Sequence, residues 1–309
     1  MKDNLEKRIY TYSTFLEKKF GRKVFRVGLS TGIKCPNRIE HEGCIFCNPK
    51  TFTGEYQSQN LSIEKQLDDA IPRIKKSCGK VGLLAYFQDE TSTAGDLEFL
   101  RSKFSQALFH KEILGLIVST RPDFVNDEIV EMLLSFKVPV TIEIGMQSVH
   151  DKSLDFLNRN HNFLQTRKAI EFCDEAGLDV GVHLIIGIPN ESFDDMLQTI
   201  KYVSSNHFIK QVKFHNLVVY KNTKLSEMKN IFSLSIDEYI DILSELIPFL
   251  RRDIVISRLF TSNIRKSQIA VGNYEGSKPE WLNKLRLKLI EKNYSQGCKT
   301  DKIYDFDWR

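Results

Sequence analysis

The sequence has no apolar run long enough to cross a bilayer: the longest, such as Ile113 to Val118, fall far short of the roughly 20 residues that a spanning helix requires. It also lacks an apolar leader, because charge begins at Lys2 and no small-residue cleavage site follows; a cytosolic protein with no membrane partner is expected. Short repeats and low-complexity tracts are missing too. Cysteine is scarce but unevenly placed: of six, three crowd between positions 35 and 47, and Cys78, Cys173 and Cys298 are scattered. That is not the spacing of a secreted disulfide framework, and in a reducing compartment the crowding points to metal.

At 309 residues and 41% hydrophobic residues, the chain can bury a large core as one large α/β domain or two ordinary ones. Apolar runs and breakers predict strands at Val24 to Leu29, Val81 to Phe87, Gly115 to Ser119, Val138 to Met146, Val180 to Ile186 and Val212 to Val219. Helical spacing falls between them, at Ile63 to Lys76, Asp96 to Ala107, Asn126 to Ser135 with Asn126 as cap, Phe163 to Ala176, and Ser192 to Ser204. Six strand-helix units imply a parallel sheet with right-handed crossovers, curved as a complete or partial (β/α) barrel; an open doubly wound sheet is the alternative. In a barrel, reactive groups belong just beyond the C-terminal strand ends.

The rhythm breaks after residue 230. A helix at Ile236 to Phe249, a short apolar run at Ile254 to Leu259 and an amphipathic helix at Glu280 to Lys292 predict an α-rich extension, residues 231–309, packed on a core of residues 1–230. Residues 251–309 hold 13 Lys and Arg against 7 Asp and Glu, while the whole chain is only +4. A basic terminal segment is either a footprint for RNA or a solvated helix face.

Several strand ends carry polar residues. Leu83 to Phe87 gives way abruptly to Gln88-Asp89-Glu90-Thr91-Ser92-Thr93, where Ser92 or Thr93 fits a helix cap. Pro122 forces Arg121 into an extended conformation suited to a rim loop. Alternation sends Glu143, Gly145 and Gln147 to one face, and an inward carboxylate and amide are costly to bury unless they bond a polar ligand. His183 lies opposite Val182 and Leu184 and serves equally as a core residue or a ligand-binding one; Lys213 and His215 share a face and are substrate-side candidates.

The segment Cys35-Pro-Asn-Arg-Ile-Glu-His-Glu-Gly-Cys44-Ile-Phe-Cys47 sets three thiols in a loop after the first strand. Spacing leaves two readings. Three thiolates on a four-iron cubane leave one iron open to a small molecule. Alternatively Cys35, His41, Cys44 and Cys47 form a tetrahedral zinc site stabilising a non-catalytic RNA-binding protein.

With the strand-end motifs, these cysteines resemble those of radical S-adenosylmethionine (radical SAM) enzymes, in the wider spacing of the Elongator catalytic subunit. The whole chain is most similar to the YhcC-like group. The resemblance implies an enzyme with a partial (β/α)6 TIM-like barrel, a 4Fe-4S cluster on Cys35, Cys44 and Cys47, and S-adenosylmethionine on the open iron. Reductive cleavage to methionine and a 5′-deoxyadenosyl radical would then remove hydrogen from a substrate. No side chain is assigned as catalytic acid, base or nucleophile.

By the same resemblance Phe46 lies beside the adenine, Gln147 holds the ribose or the methionine carboxylate, and Arg159, in Leu157-Asn158-Arg159-Asn160-His161, pairs with that carboxylate. That segment is similar to an Asn-Arg-Gly-His stretch of the Elongator catalytic subunit, with Asn160 replacing glycine. His183 stands where a ribose-binding polar residue is usual, and the Ile186 to Pro189 stretch lines the adenine. Gln88 and Glu90 occupy the place where many such enzymes carry Gly-Gly-Glu for the methionine amino group. The resemblance also implies an electron donor such as flavodoxin or ferredoxin and suggests RNA, transfer RNA in particular, as substrate. The chain has no room for the Elongator subunit's acetyltransferase domain, so the same modification is not implied.

Overall fold

The computed structural model describes residues 4–51, 57, 61–88, 90–261 and 264–300. Asp89 and the last nine residues of the basic segment therefore lie outside the described residues. In chain order the elements are α1 (Tyr12–Phe20), β1 (Val24–Leu29), α2 (Pro36–Ile39), α3 (Ile63–Cys78), β2 (Gly82–Phe87), α4 (Leu97–Leu108), β3 (Ile113–Thr120), α5 (Asp127–Ser135) and β4 (Val140–Gln147). There follow α6 (Asp151–Phe156), α7 (Phe163–Glu175), β5 (Asp179–Ile186), α8 (Phe193–Ser205), β6 (Ile209–Asn216), β7 (Val219–Tyr220) and α9 (Lys224–Glu227). The last are α10 (Ile236–Leu246), β8 (Val255–Arg258), β9 (Ile269–Val271) and α11 (Lys278–Glu291).

The main sheet has seven strands in the order β1-β2-β3-β4-β5-β6-β8, and every neighbouring pair is parallel. Strand order follows chain order without reversal, the arrangement of a partial barrel; a doubly wound sheet would switch direction midway. The sheet departs from six strands because Ile254 to Leu259, a short apolar run in sequence, supplies β8, which pairs with β6 from Gln211↔Val255 to Lys213↔Arg258. Four residues are too few for periodicity to declare a strand.

The open seam between β1 and β8 is covered by α1, which the sequence reading did not identify. The Ile256 amide donates to the Tyr10 carbonyl at 2.9 Å, and Arg26 of β1 donates to the Ser257 carbonyl at 3.2 Å. Outside the sheet, the apolar faces of the helices and the outward strand residues form one continuous core. Helix starts are chemically marked: Asn126 caps α5 as expected, accepting from the Ile129 amide at 3.0 Å. The cap of α4 is Asp96, which accepts from the Phe99 amide at 3.0 Å; Ser92 instead donates to the Phe87 carbonyl, and Thr93 bonds Thr120 and the Phe124 carbonyl.

α11 packs on α10 through Leu285 and Leu289, and its lysines meet an acidic row on that helix. Lys284 pairs with Asp237, Lys288 with Asp241 and Lys292 with Glu245. Three of the thirteen basic residues of this segment are thus answered by α10. Among the described residues no helix is long and apolar enough to cross a membrane.

Candidate active site

The C-terminal ends of the strands open into one cavity of about 510 Å³. Cys35, Cys44 and Cys47 line it, and so do Phe46, Gln88, Arg121, Gln147, Arg159, His183 and His215. Glu143 and Lys213 lie beneath the cavity wall at 1% exposure each. Ile186 sits in the outer core at 1% exposure, and its neighbour Ile185 lines the cavity, because alternation places His183 and Ile185 on the inner face together.

The cysteine loop is held from two sides. Glu90 accepts from the Cys35 amide at 2.5 Å and from Arg38 at 2.6 Å, so the polar run after β2 clamps the start of the loop. From the other side comes the segment after α6. Asn158 donates to the Gly43 carbonyl at 2.6 Å, Asn37 donates to the Asn158 carbonyl at 2.9 Å, and the Ile45 amide donates to the Leu157 carbonyl at 3.1 Å. Asn158 and Asn160 both adopt left-handed backbone, at φ 53° and 51°, a conformation asparagine tolerates.

Arg159, buried at 7% exposure, donates to the Cys44 sulfur at 3.4 Å, the Gly145 carbonyl at 3.0 Å and His161 Nε2 at 3.2 Å. Burial, with the charges of Arg159 and Arg121 behind it, pulls the His161 imidazole down to about 2, so it stays neutral and can accept. Gly145 is required by this approach: a Cβ there would stand 2.9 Å from Arg159 Nη2 and 3.0 Å from Gln147 Nε2. Arg121 grips Asp123 with both nitrogens, at 3.0 and 2.9 Å, while its Nη1 is buried without a hydrogen-bond partner beside the cavity.

Deeper in the barrel is a charged layer. Glu143 accepts from Lys213, from His183 Nε2 at 2.8 Å and from Ser119 at 3.2 Å, with Arg26 at 3.8 Å. Burial alone would raise its pKa, but Lys213 and His183 outweigh that and hold it well below the usual carboxylate range. Burial draws Lys213 well below its ordinary value against the attraction of Glu143, and pulls His183 down to about 4. Lys213 also bonds the Tyr86 hydroxyl and stands over that ring at 4.4 Å. The reading of Glu143 as a costly inward carboxylate located this layer; that its partners would be side chains of β1, β3, β5 and β6 was not visible in sequence.

The donor set fits an iron-sulfur cluster. Three thiols face one cavity, and two of their sulfurs receive hydrogen bonds: Asn37 and Arg159 to Cys44, both at 3.4 Å, and Thr91 to Cys35 at 3.3 Å. Such bonds to sulfur tune thiolate-held clusters. The fourth ligand of the zinc reading, His41, is exposed and is not among the cavity-lining residues. Among the described residues no three His, Cys, Asp or Glu side chains gather closely enough to hold a single metal ion. Cys78 and Cys298 are exposed and Cys173 is buried.

A parallel partial barrel with three thiols and a polar-lined cavity at its strand ends defines an enzyme of the radical S-adenosylmethionine class. The chain belongs to the Radical SAM superfamily, which matches residues 29–203, and the Radical SAM C-terminal domain matches residues 209–291. Its cofactors are accordingly a 4Fe-4S cluster and S-adenosylmethionine. The chain is 33% identical to Protein YhcC of Escherichia coli (strain K12), over 86% of this chain and 87% of that protein. It is 22% identical to a tRNA uridine(34) acetyltransferase of Methanocaldococcus jannaschii, over 90% of this chain and 58% of that protein. Its fold matches the archaeal Methanocaldococcus infernus Elp3 with a TM-score of 0.70 at 20% identity, covering 88% of this chain and 64% of the other. The chain spans less than two thirds of the last two proteins.

Proposed function

We propose that Cys35, Cys44 and Cys47 hold the cluster, that S-adenosylmethionine binds between its open iron and the cavity wall, and that the enzyme removes hydrogen from an RNA substrate. When bound, these groups supply one-electron chemistry, the reductive cleavage of S-adenosylmethionine to methionine and a 5′-deoxyadenosyl radical. The chain's own residues bind, orient and exclude water. Arg159 keeps N–H groups beyond its three internal bonds and presents them, fork to carboxylate, to the methionine carboxylate. Gln88 takes the methionine amino group, Gln147 the ribose, and Phe46 with Ile185 the adenine. Ionised Glu143 keeps the His183 proton on Nε2, which leaves Nδ1 as an acceptor for a ribose hydroxyl. Arg121 contributes its unpartnered Nη1 at the rim. The electron comes from a donor such as flavodoxin or ferredoxin.

The observation that carries this reading is the convergence of the three thiols with Arg121, Gln147 and Arg159 on one cavity. RNA as substrate rests on the likeness over 90% of this chain to a tRNA-modifying relative. The C-terminal charge adds little to it, since Lys284, Lys288 and Lys292 are paired with α10.

The test is anaerobic reconstitution with iron and sulfide, followed by assay of 5′-deoxyadenosine with and without unmodified tRNA. About four irons per chain are expected, with turnover raised by tRNA and abolished in Cys44→Ala. A colourless protein that keeps zinc and makes no 5′-deoxyadenosine overturns the reading; turnover indifferent to tRNA overturns the RNA substrate alone.

A further inference from the structure

The side of the cavity away from the cysteines is built from side chains of the strands themselves, and among the described residues its positive charge exceeds its negative charge. Arg26 of β1 and Arg258 of β8 both face it, with Tyr86, His183 and His215. Among the described residues Glu143 is the carboxylate of this layer: its Oε2 is taken by Lys213 and His183, and its Oε1 forms an ion pair with Arg26 Nη1 at 3.8 Å without a hydrogen bond. Among the described residues three basic side chains, Arg26, Lys213 and Arg258, thus stand against one acidic one.

Donors are also left over. Arg26 spends Nη2 on the Ser257 carbonyl at 3.2 Å, but its Nη1 is buried without a hydrogen bond. His215 Nε2 and Asn216 Nδ2 are likewise buried and unbonded. The Arg258 side chain makes no hydrogen bond or ion pair with any described residue; burial and the charge of Arg26 disfavour its cation, while Tyr86 and Glu143 favour it. Surplus positive charge at a half-buried site, with unpaired donors beside it, is costly unless a ligand supplies oxygen acceptors. The position suits the substrate: Arg26 lies two residues before Gly28, the position on β1 where a Cβ would strike Gln57 and Gln88, and Arg258 pairs in register with Lys213.

Resting on the cavity's assignment to radical chemistry, we infer that the substrate enters with an oxyanion group, a carboxylate or a phosphate, which Arg26 and Arg258 bind from opposite edges of the barrel while His215 and Asn216 complete the contact. The anion would anchor the substrate below S-adenosylmethionine and so fix which hydrogen is presented. Guanidinium groups favour this class because their fork matches two oxygens.

The experiment uses cluster-loaded enzyme saturated with S-adenosylmethionine, so that the methionine carboxylate already occupies its own site. Thermal midpoints are followed against inorganic phosphate, acetate and, at matched ionic strength, chloride, with crystals soaked in the same anions. Phosphate or acetate should raise the midpoint where chloride does not, and Arg258→Gln and Arg26→Gln should each weaken that response by about tenfold or more in affinity. A phosphate response identifies a phosphoryl group, an acetate response a carboxylic acid. No response beyond chloride, an equal response in both variants, or soaked anions lying elsewhere overturns the inference. Circular dichroism separates a misfolded variant from one that has lost the anion; should either arginine variant misfold, His215→Phe carries the comparison. If S-adenosylmethionine is neither bound nor cleaved by the unmodified enzyme, the functional reading fails instead, whatever the anions do.

Discussion

Arg159 donates to the sulfur of Cys44 across 3.4 Å, joining residues 115 positions apart in the chain. Its other bonds reach the Gly145 carbonyl and His161, so one guanidinium ties the cysteine loop, the end of β4 and its own loop together. With the cluster proposed for Cys35, Cys44 and Cys47, a residue so placed would act on a cluster sulfur and on the proposed ligand at once.

Gly145→Ala tests that arrangement. The added methyl would press on the ends of the Arg159 and Gln147 side chains, at 2.9 and 3.0 Å, with the Thr120 carbonyl at an ordinary contact of 3.5 Å, so both side chains can move and the fold should lose no more than about 1 kcal/mol. The affinity for S-adenosylmethionine should fall by about tenfold with iron content kept. Calorimetric titration decides it: unchanged affinity would remove Arg159 and Gln147 from the binding site.

Breaking the buried pair is expected to be far more damaging. Lys213→Met leaves Glu143 charged at 1% exposure and should cost about 3–5 kcal/mol in urea unfolding. Adding Glu143→Leu should restore a large part of that loss, since it removes the stranded charge. A double variant no more stable than the single would mean the pair contributes little electrostatically.

Acid should weaken the fold before the carboxylates titrate. Burial lowers the His183 pKa from 6.5 to about 4, so between those values the unfolded chain binds a proton that the folded chain refuses. The contribution is therefore complete above pH 6.5 and lost as pH falls towards 4, by about 3 kcal/mol for this histidine. Unfolding free energies at pH 7 and pH 4.5, with His183→Gln as reference, measure it; equal slopes in the two proteins would refute it.

The lysine row of α11 yields a contrasting expectation. Lys284 is about half exposed and Lys288 about a third, and they face Asp237 and Asp241. Replacing both by Gln should cost no more than about 2 kcal/mol, less at high salt, and should leave tRNA affinity unchanged. A drop in affinity measured by filter binding would show that this row meets RNA despite its internal partners.

Much of the architecture was legible because parallel strands buried on both faces leave apolar runs that short-range inspection finds. Val24 to Leu29 and Val180 to Ile186 were recognised closely for that reason, and the cysteines announced themselves by spacing. Asn126 was readable as a cap, since capping is local chemistry. Asp96 was overlooked in favour of Ser92 and Thr93, which have equally suitable side chains but spend them on neighbouring strands. Ile185 was displaced by Ile186 in the reading, although the alternation that sets His183 inward already implied it.

The sequence by itself determined which chemistry was available: three thiols after the first strand, a carboxylate, two histidines, a lysine and several arginines on inward-facing positions. Only the tertiary structure decided how they are spent. Glu143 belongs to Lys213 and His183, Arg159 to Cys44, and the α11 lysines to α10, while Arg26 and Arg258 face the cavity together. The reason is physical. Periodicity along a strand tells which face a side chain takes, but its neighbours are set by register between strands distant in sequence, and that register is settled by the core as a whole.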